Sequence, residues 1–401
     1  MRCPALRKSD ASFKKVAMSP TNRPVMYKPN LIKRIHFHAI WQLARFFRLL
    51  SKTPEKLLSR WTVLHIGSRI IKSKKTSRSS TRKKPHILIL RHRTQWNQKD
   101  SEEQYWFDES LNSTGLATFD VLTYDHDLCF NPICDLQLIR KACEIKPDII
   151  LVSSWVVRPR YPSVHSFNLI RSMLGIPIVV IWTDTCSKNF WNQLSPYMSV
   201  FDVHVCVDNP ALKFANKESP LFSRILFICL PPSPKLYRPR EIRDIPVIFC
   251  GQVSSYRSYR RETIEYLIKQ GVPGVFSTVD RNELMCREKY AELLGRSKIG
   301  INFSYSVDCD QLKGRVLETI FSGAMVLESE NNQTSCLLTP MRDYVPFRNK
   351  EDLVEKIHYY LKNEHELKAI ADHGYKTALA NYGPDVFWKT LFGKLNLGQS
   401  S

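Results

Sequence analysis

From Pro85 onward, short apolar runs alternate with stretches whose apolar residues recur at helical spacing. That is the pattern of parallel strands buried on both faces and covered by helices. Five runs predict the strands of a first domain: HILIL (86–90), FDVLTY (119–124), DIILVS (148–153), IPIVVIW (176–182) and DVHVCV (202–207). The segment LPPSPKLYRPRE (230–241) holds four prolines, which exclude helix and central strand and predict a linker. A second set follows, VIFCG (247–251), GVFST (274–278), IGINFS (299–304), AMVLES (324–329) and DYVPF (343–347), with helices predicted over 259–270, 286–296, 312–322 and 351–361. The predicted fold class is α/β, two doubly wound, Rossmann-like domains spanning 85–235 and 240–390. Ligands of such sheets bind beyond the carboxyl ends of the strands, here in the cleft between the domains.

Residues 1–84 read differently. They hold 22 Lys and Arg against Asp10 and Glu55 alone, whereas the rest of the chain has 37 against 36 Asp and Glu, so the net charge of +21 belongs to the extension. A groove that neutralises nucleic-acid phosphates would place cations on the folded body, so no nucleic-acid partner is expected there. Within the extension, LIKRIHFHAIWQLARFFRLL (31–50) places Ile32, Ile35, Ala39, Leu43, Phe46 and Leu50 on one helical face and Arg34, His38, Arg45 and Arg48 on another. Three readings fit this basic amphipathic helix: packing on the catalytic body, anchoring to an anionic membrane, or an organelle presequence. The stretch KSKKTSRSSTRKK (72–84) has no apolar residue to bury and reads as a solvated linker. No apolar run reaches the length of a membrane span and no secretory cleavage pattern is visible, so the expected location is cytoplasmic, or peripheral at the inner face of a membrane. Eleven Cys without a CxxC or a Cys/His cluster predict neither a zinc site nor a disulfide framework.

The run SKIGINFSYSVDCDQLKGRVLETIFSGAMVLESENNQTSCLL (297–338), with YVPFRNKEDLVEKIHYYLKN and IADHGYKTALANYG after it, resembles the donor-binding domain of group-1 glycosyltransferases, closest to the spore-maturation-type branch. In those enzymes two acidic residues lie eight positions apart and a helix ends at Gly before the next strand, which falls here on Asp310, Glu318 and Gly323. The family usually has Glu at both acidic positions, and Asp310 departs from that. The segment DIPVIFCGQVSSYRSYRRETIEYL (244–267) resembles the entry strand, with Gly251 at its end and Arg260 or Arg261 in the next helix. The resemblance implies a GT-B arrangement and a nucleoside diphosphate-sugar donor, and it covers roughly residues 240–390. It implies no bound metal and no cofactor beyond the donor itself.

The residue chemistry stands beside it. A nucleoside diphosphate needs close backbone approach, cations for the pyrophosphate and a carboxylate for the ribose diol. Gly251 and Gly314 permit approach, Arg260, Lys313 and Arg315 are candidate cations, and a helix beginning near Leu312 aims its amides at the anion. Glu318 supplies the carboxylate, and Asp310, Gly314 and Glu318, four apart, share a face if the helix extends over all three. The plainer readings are a solvated Glu318, an Arg315 paired with Glu318 or Glu292, and Gly323 as a left-handed residue after a helix.

Acceptor-side candidates follow the first domain's strands: His92, His126 with Asp127, Trp155 with Arg158, and Asp184. Asp184 comes directly after a wholly apolar strand and is the leading catalytic candidate, with His126 the second; a helix cap is the alternative reading of Asp184. The expected function is transfer of a sugar to a glycan, lipid-linked or protein acceptor. The alternatives are a sugar-nucleotide epimerase or non-catalytic GT-B binder, and a protein that binds anionic lipid or nucleic acid through its tail.

Overall fold

The protein was analysed as a computed structural model, which describes residues 60–73, 82–94, 101–128, 133–155, 160–183, 185, 195–207, 220–253, 258–278, 285–304 and 310–397. The amphipathic stretch 31–50, most of the linker, Arg158 and Asp184 lie outside the described residues.

The apolar runs become strands because both faces of each sheet are covered. In the first domain β1 (His86–Arg91), β2 (Thr118–Thr123), β3 (Ile149–Ser153), β4 (Ile178–Trp182), β5 (Val203–Cys206) and β6 (Ile225–Phe227) pair in parallel, in the order β2-β1-β3-β4-β5-β6. β3 and β4 are buried at every residue. β6 is an additional edge strand, half-buried, that was not among the predicted runs. Around this sheet lie α1 (Ser68–Ser73), α2 (Ser110–Thr114), α3 (Ile133–Ile145) and α4 (Val164–Leu174).

The second domain pairs β7 (Ile245–Cys250), β8 (Val275–Ser277), β9 (Ser297–Asn302), β10 (Met325–Ser329) and β11 (Val345–Phe347) in the order β11-β10-β9-β7-β8, again in parallel. Its helices are α5 (Ser258–Lys269), α6 (Arg287–Arg296), α7 (Gly314–Phe321), α8 (Asn332–Ser335), α9 (Lys350–Lys362) and α10 (Glu364–Tyr382). Strand order reverses between β7 and β9, which makes their carboxyl ends the expected ligand position.

Two segments depart from the sequence-based division. Residues 60–73, counted with the basic extension, include a π turn, Val63–Gly67, that runs into α1, and Val63 and Ile71 are buried with Ile139 and Leu169 in the first domain's core. Gly67 packs closely there: a Cβ would lie 2.7 Å from Ile139 Cδ1 and would make that side chain shift. The last helix, α11 (Pro384–Lys394), opens with proline at its first turn and packs back on the first domain. Its Phe387, Trp388 and Leu391 join Ile87, Phe107 and Leu111, and Trp388 Nε1 donates to Ser110 Oγ at 3.0 Å.

Gly323 sits where the sequence placed it, after α7 with φ of 76°. A side chain there would run into Arg243, whose guanidinium donates to the Ser297 and Ser322 carbonyls. Among the described residues no helix is long and apolar enough to cross a membrane.

Candidate functional site

A cavity of about 390 Å³ opens at the carboxyl ends of the strands of both sheets. The first domain contributes Glu102 and Trp106, Thr183 after β4 and Val207 after β5. The second contributes Gly251 after β7, Arg260 from α5, Arg287 and Tyr290 from α6, and the segment Gln311–Arg315 with Glu318. Five of the six sequence-predicted donor residues, Gly251, Arg260, Lys313, Arg315 and Glu318, therefore meet on one cavity.

Each is held differently. Gly251 follows β7, where a Cβ would stand 2.8 Å from Arg315 Nη2. Arg260 is buried between the Phe249 and Phe303 rings and donates to the Gln252 carbonyl at 3.0 Å and the Phe303 carbonyl at 3.1 Å, which ties the loop after β7 to the end of β9. Lys313 precedes α7 in extended conformation, φ −98° and ψ 137°, and makes no side-chain cap, so the amides opening α7 meet the cavity at Gly314. Its Nζ donates to Gln311 Oε1, and Gln311 Nε2 reaches across to the Thr183 carbonyl at 3.3 Å.

Arg315 stacks over the Phe249 ring at 5.6 Å and donates from Nη1 to Asn302 Oδ1 at 3.1 Å. Its Nε is buried with no hydrogen-bond partner, and among the described residues no carboxylate pairs with it. The expected pairing with Glu318 or Glu292 does not occur.

Glu318 is 7% exposed, so it is not a solvated helix residue. Its Oε1 accepts from Tyr237 at 3.1 Å and its Oε2 from Tyr290 at 2.9 Å. Burial, and then the Glu318 charge, push both phenols well above their ordinary range, so they stay protonated and donate. An ionised carboxylate has about four acceptor positions, so two bonds leave room for a diol.

Arg287, Tyr237 and Tyr290 escaped the sequence reading. Arg287 stacks on the Tyr290 ring at 5.8 Å, pairs with Glu102 of the first domain and lies 3.8 Å from Glu318 Oε1, with its Nε buried and unpartnered. Nothing in the run CREKYAELL marks it, because its carboxylate partners, Glu102 and Glu318, lie on distant segments. Cys250 also lines the cavity, and burial pushes its thiol up to about 11, which favours the neutral thiol there.

Other sequence candidates fall elsewhere. Asp310 is half-buried just ahead of α7, its carboxyl raised by burial, and it does not line the cavity. Because α7 starts only at Gly314, Asp310 does not share a helical face with Gly314 and Glu318, as the spacing had suggested. His126 is exposed at the end of edge strand β2, 3.0 Å from Asp127, and does not line the cavity. His92 sits between Glu103 and Tyr161, with its Nε2 2.7 Å from the phenol, and Trp155 is a core residue that donates to the Pro162 carbonyl. Asp184 lies outside the described residues, while Thr183 before it lines the cavity.

Residues 248–393 match the family described as glycosyl transferase-like. No curated protein sequence matches the chain. Among solved structures, HepE of Anabaena in complex with UDP-glucose aligns with a TM-score of 0.51 and 10% identity, over 78% of this chain and 99% of its own. A glycosyltransferase from Rickettsia africae aligns with 0.52 and 14%, over 80% and 100%. Sucrose-phosphate synthase from Thermosynechococcus elongatus aligns with 0.51 and 11%, over 78% and 99%. The two domains thus have the GT-B fold of these proteins, and residues 248–393 carry the sequence pattern of the glycosyl transferase-like family.

Proposed function

We propose that this chain is a glycosyltransferase of the GT-B type that takes a nucleoside diphosphate-sugar as donor and a glycan, lipid-linked or protein hydroxyl as acceptor. Within that class it lies nearest the spore-maturation-type branch. The observation that carries the reading is the convergence of Arg287, Arg315 and Lys313 on the opening turn of α7, at the point where the second sheet reverses its strand order. Two of those guanidinium groups keep a buried, unpartnered Nε beside the cavity. Such a cluster is built to receive a compact dianion, and Glu318 is placed to accept the ribose hydroxyls.

In the reaction the bond between the sugar's anomeric carbon and the β-phosphate oxygen breaks, and the electron pair leaves with the diphosphate. The arginines, Lys313 and the α7 amides stabilise that charge, which is the reason to propose metal-independent transfer. The acceptor oxygen forms the new bond to the anomeric carbon, and its proton passes to a first-domain base, for which Asp184, next in sequence to the cavity-lining Thr183, is proposed. Residues 1–59, rich in Lys and Arg, are proposed to hold the protein peripherally at an anionic membrane face, since each cation near such a surface adds about 1 kcal/mol.

A thermal-shift screen with UDP, GDP, ADP and CDP tests the donor site. A ligand at 100 times its dissociation constant stabilises by about 2.7 kcal/mol, so one diphosphate should raise the melting temperature clearly. No shift with any of the four would overturn the reading.

A further inference from the structure

Glu328 has no place in the donor chemistry described so far, yet it is a fully buried carboxylate at the end of β10, following Met325, Val326 and Leu327. A buried carboxylate is costly unless every lone pair finds a donor. Here they do. Oε2 accepts from Asn302 Nδ2 at 2.5 Å, and Oε1 accepts from the Ser304 amide at 2.9 Å and from Asn331 Nδ2 and Ser329 Oγ at 3.3 Å.

The Asn302 contact reaches the cavity. An amide side chain has a donating and an accepting end, and an acceptor at one end fixes which way the other points. With Nδ2 donating to Glu328 Oε2 and, at 3.4 Å, to Ser304 Oγ, Oδ1 is turned toward Arg315 and accepts from its Nη1 at 3.1 Å. That is the one hydrogen bond the Arg315 side chain makes among the described residues, the rest of its support being the Phe249 ring and the space left by Gly251. Without the amide in this orientation, the guanidinium would lose its one directional tether at the cavity wall and keep only the Phe249 ring and the space at Gly251.

We propose that Glu328 is a positioning residue of the donor site, which through the Asn302 amide holds Arg315 where the donor's diphosphate binds. The proposal rests on the donor-site reading above and adds residues that no local motif marks. A plain loop-stapling role, through the Ser304 amide alone, would predict no link to the phosphates.

Titration calorimetry with UDP and with uridine separates the two, using wild type, Glu328→Gln, Asn302→Leu, Arg315→Gln and the double variant Glu328→Gln/Arg315→Gln. Glu328→Gln and Asn302→Leu should each weaken UDP binding by roughly tenfold, the scale of one charge-assisted hydrogen bond, and leave uridine binding unchanged. In the Arg315→Gln background, Glu328→Gln should cost nothing further, because the residue acts through Arg315. Asn302→Leu keeps the other Glu328 contacts and carries the test if Glu328→Gln folds poorly. Equal losses for UDP and uridine, additive losses in the double variant, or unchanged UDP affinity in both folded single variants would overturn the proposal. If UDP fails, whichever of GDP, ADP or CDP binds tightest is used with its own nucleoside. A wild type that binds none of them sinks the donor-site reading, and this proposal falls with it.

Discussion

The two domains share one strand-and-helix plan and differ in what they place at the carboxyl ends of their strands. Around the cavity, among the described residues, the second domain gathers Arg260, Arg287, Lys313, Arg315 and Glu318, whereas the first offers Thr183, Val207, Trp106 and a single charge, Glu102. The same fold therefore serves two tasks. A fixed cluster of cations suits an anionic ligand that must be gripped, and a nearly neutral wall suits a partner held by shape and loops. The sharpest consequence is that changes in the first domain should alter turnover without altering donor affinity, whereas changes to the second domain's cations should lower donor affinity, and turnover with it.

The largest effect is expected at Asp184. If it takes the acceptor's proton, Asp184→Asn should lower single-turnover transfer by about 100-fold or more and leave the nucleoside diphosphate dissociation constant unchanged. Turnover near wild type would make Asp184 a cap or surface group and remove it as the base.

Next in size are the second-domain cations. Arg287→Gln and Arg315→Gln each remove charge-assisted hydrogen bonds worth about 1.5–3 kcal/mol, so affinity should fall by roughly 10- to 100-fold. Thr183→Ala on the opposite wall should change it by about twofold or less. Equal losses from both walls, read by calorimetry, would erase the distinction between the domains.

The domains should also part company in their response to pH. Burial pushes the Glu328 carboxyl from 4.5 up to about 7, so its share of stability is full below pH 4.5 and is lost as pH rises through 7. In the first domain burial pushes His204 from 6.5 down to about 4, so its share is present above pH 6.5 and is lost as pH falls through 4. Its neutral ring accepts from Trp182 Nε1 and donates to the Met198 carbonyl, which fixes the tautomer. Each is worth roughly 3 kcal/mol at most. Relative to wild type, the melting temperature of Glu328→Gln should rise between pH 5 and 8, and that of His204→Gln should rise as pH drops from 6.5 to 4. Flat differences in either window would contradict these environments.

The smallest effect on donor binding should come from removing residues 1–54, which leaves the buried helix at 60–73 in place. The truncated chain should bind nucleoside diphosphate within about twofold of wild type yet lose flotation with anionic vesicles. Equal flotation by both forms would remove the anchor.

Ten of the eleven described strands were legible as apolar runs, because strands buried on both faces need no context to be seen. β6 was passed over although it lies in an apolar run, ILFICL (225–230), directly before the proline-rich segment that was read as a linker. The helix at 60–73 and the return of α11 to the first domain depend on packing between segments far apart in sequence, which periodicity does not report. The site divides in the same way. Gly251, Lys313, Arg315 and Glu318 sit beside strand ends and a helix start, where local pattern is informative. Tyr237 reaches Glu318 from 81 residues away and Tyr290 from 28, so the burial of that carboxylate could not be read locally. Glu328 did carry a visible signal, an acid in the otherwise apolar run AMVLES, although its partners were not visible.

The central claim is that the second domain's cavity binds a nucleoside diphosphate with Glu318 on the ribose. Titration calorimetry of the diphosphate against wild type and Glu318→Gln addresses it most directly, with far-UV spectra and melting temperatures to establish that the variant folds around its two tyrosines. An amide accepts at only one of the two positions, so affinity should fall about tenfold or more. An unchanged dissociation constant in a folded variant would place the ribose elsewhere and contradict the donor-site assignment.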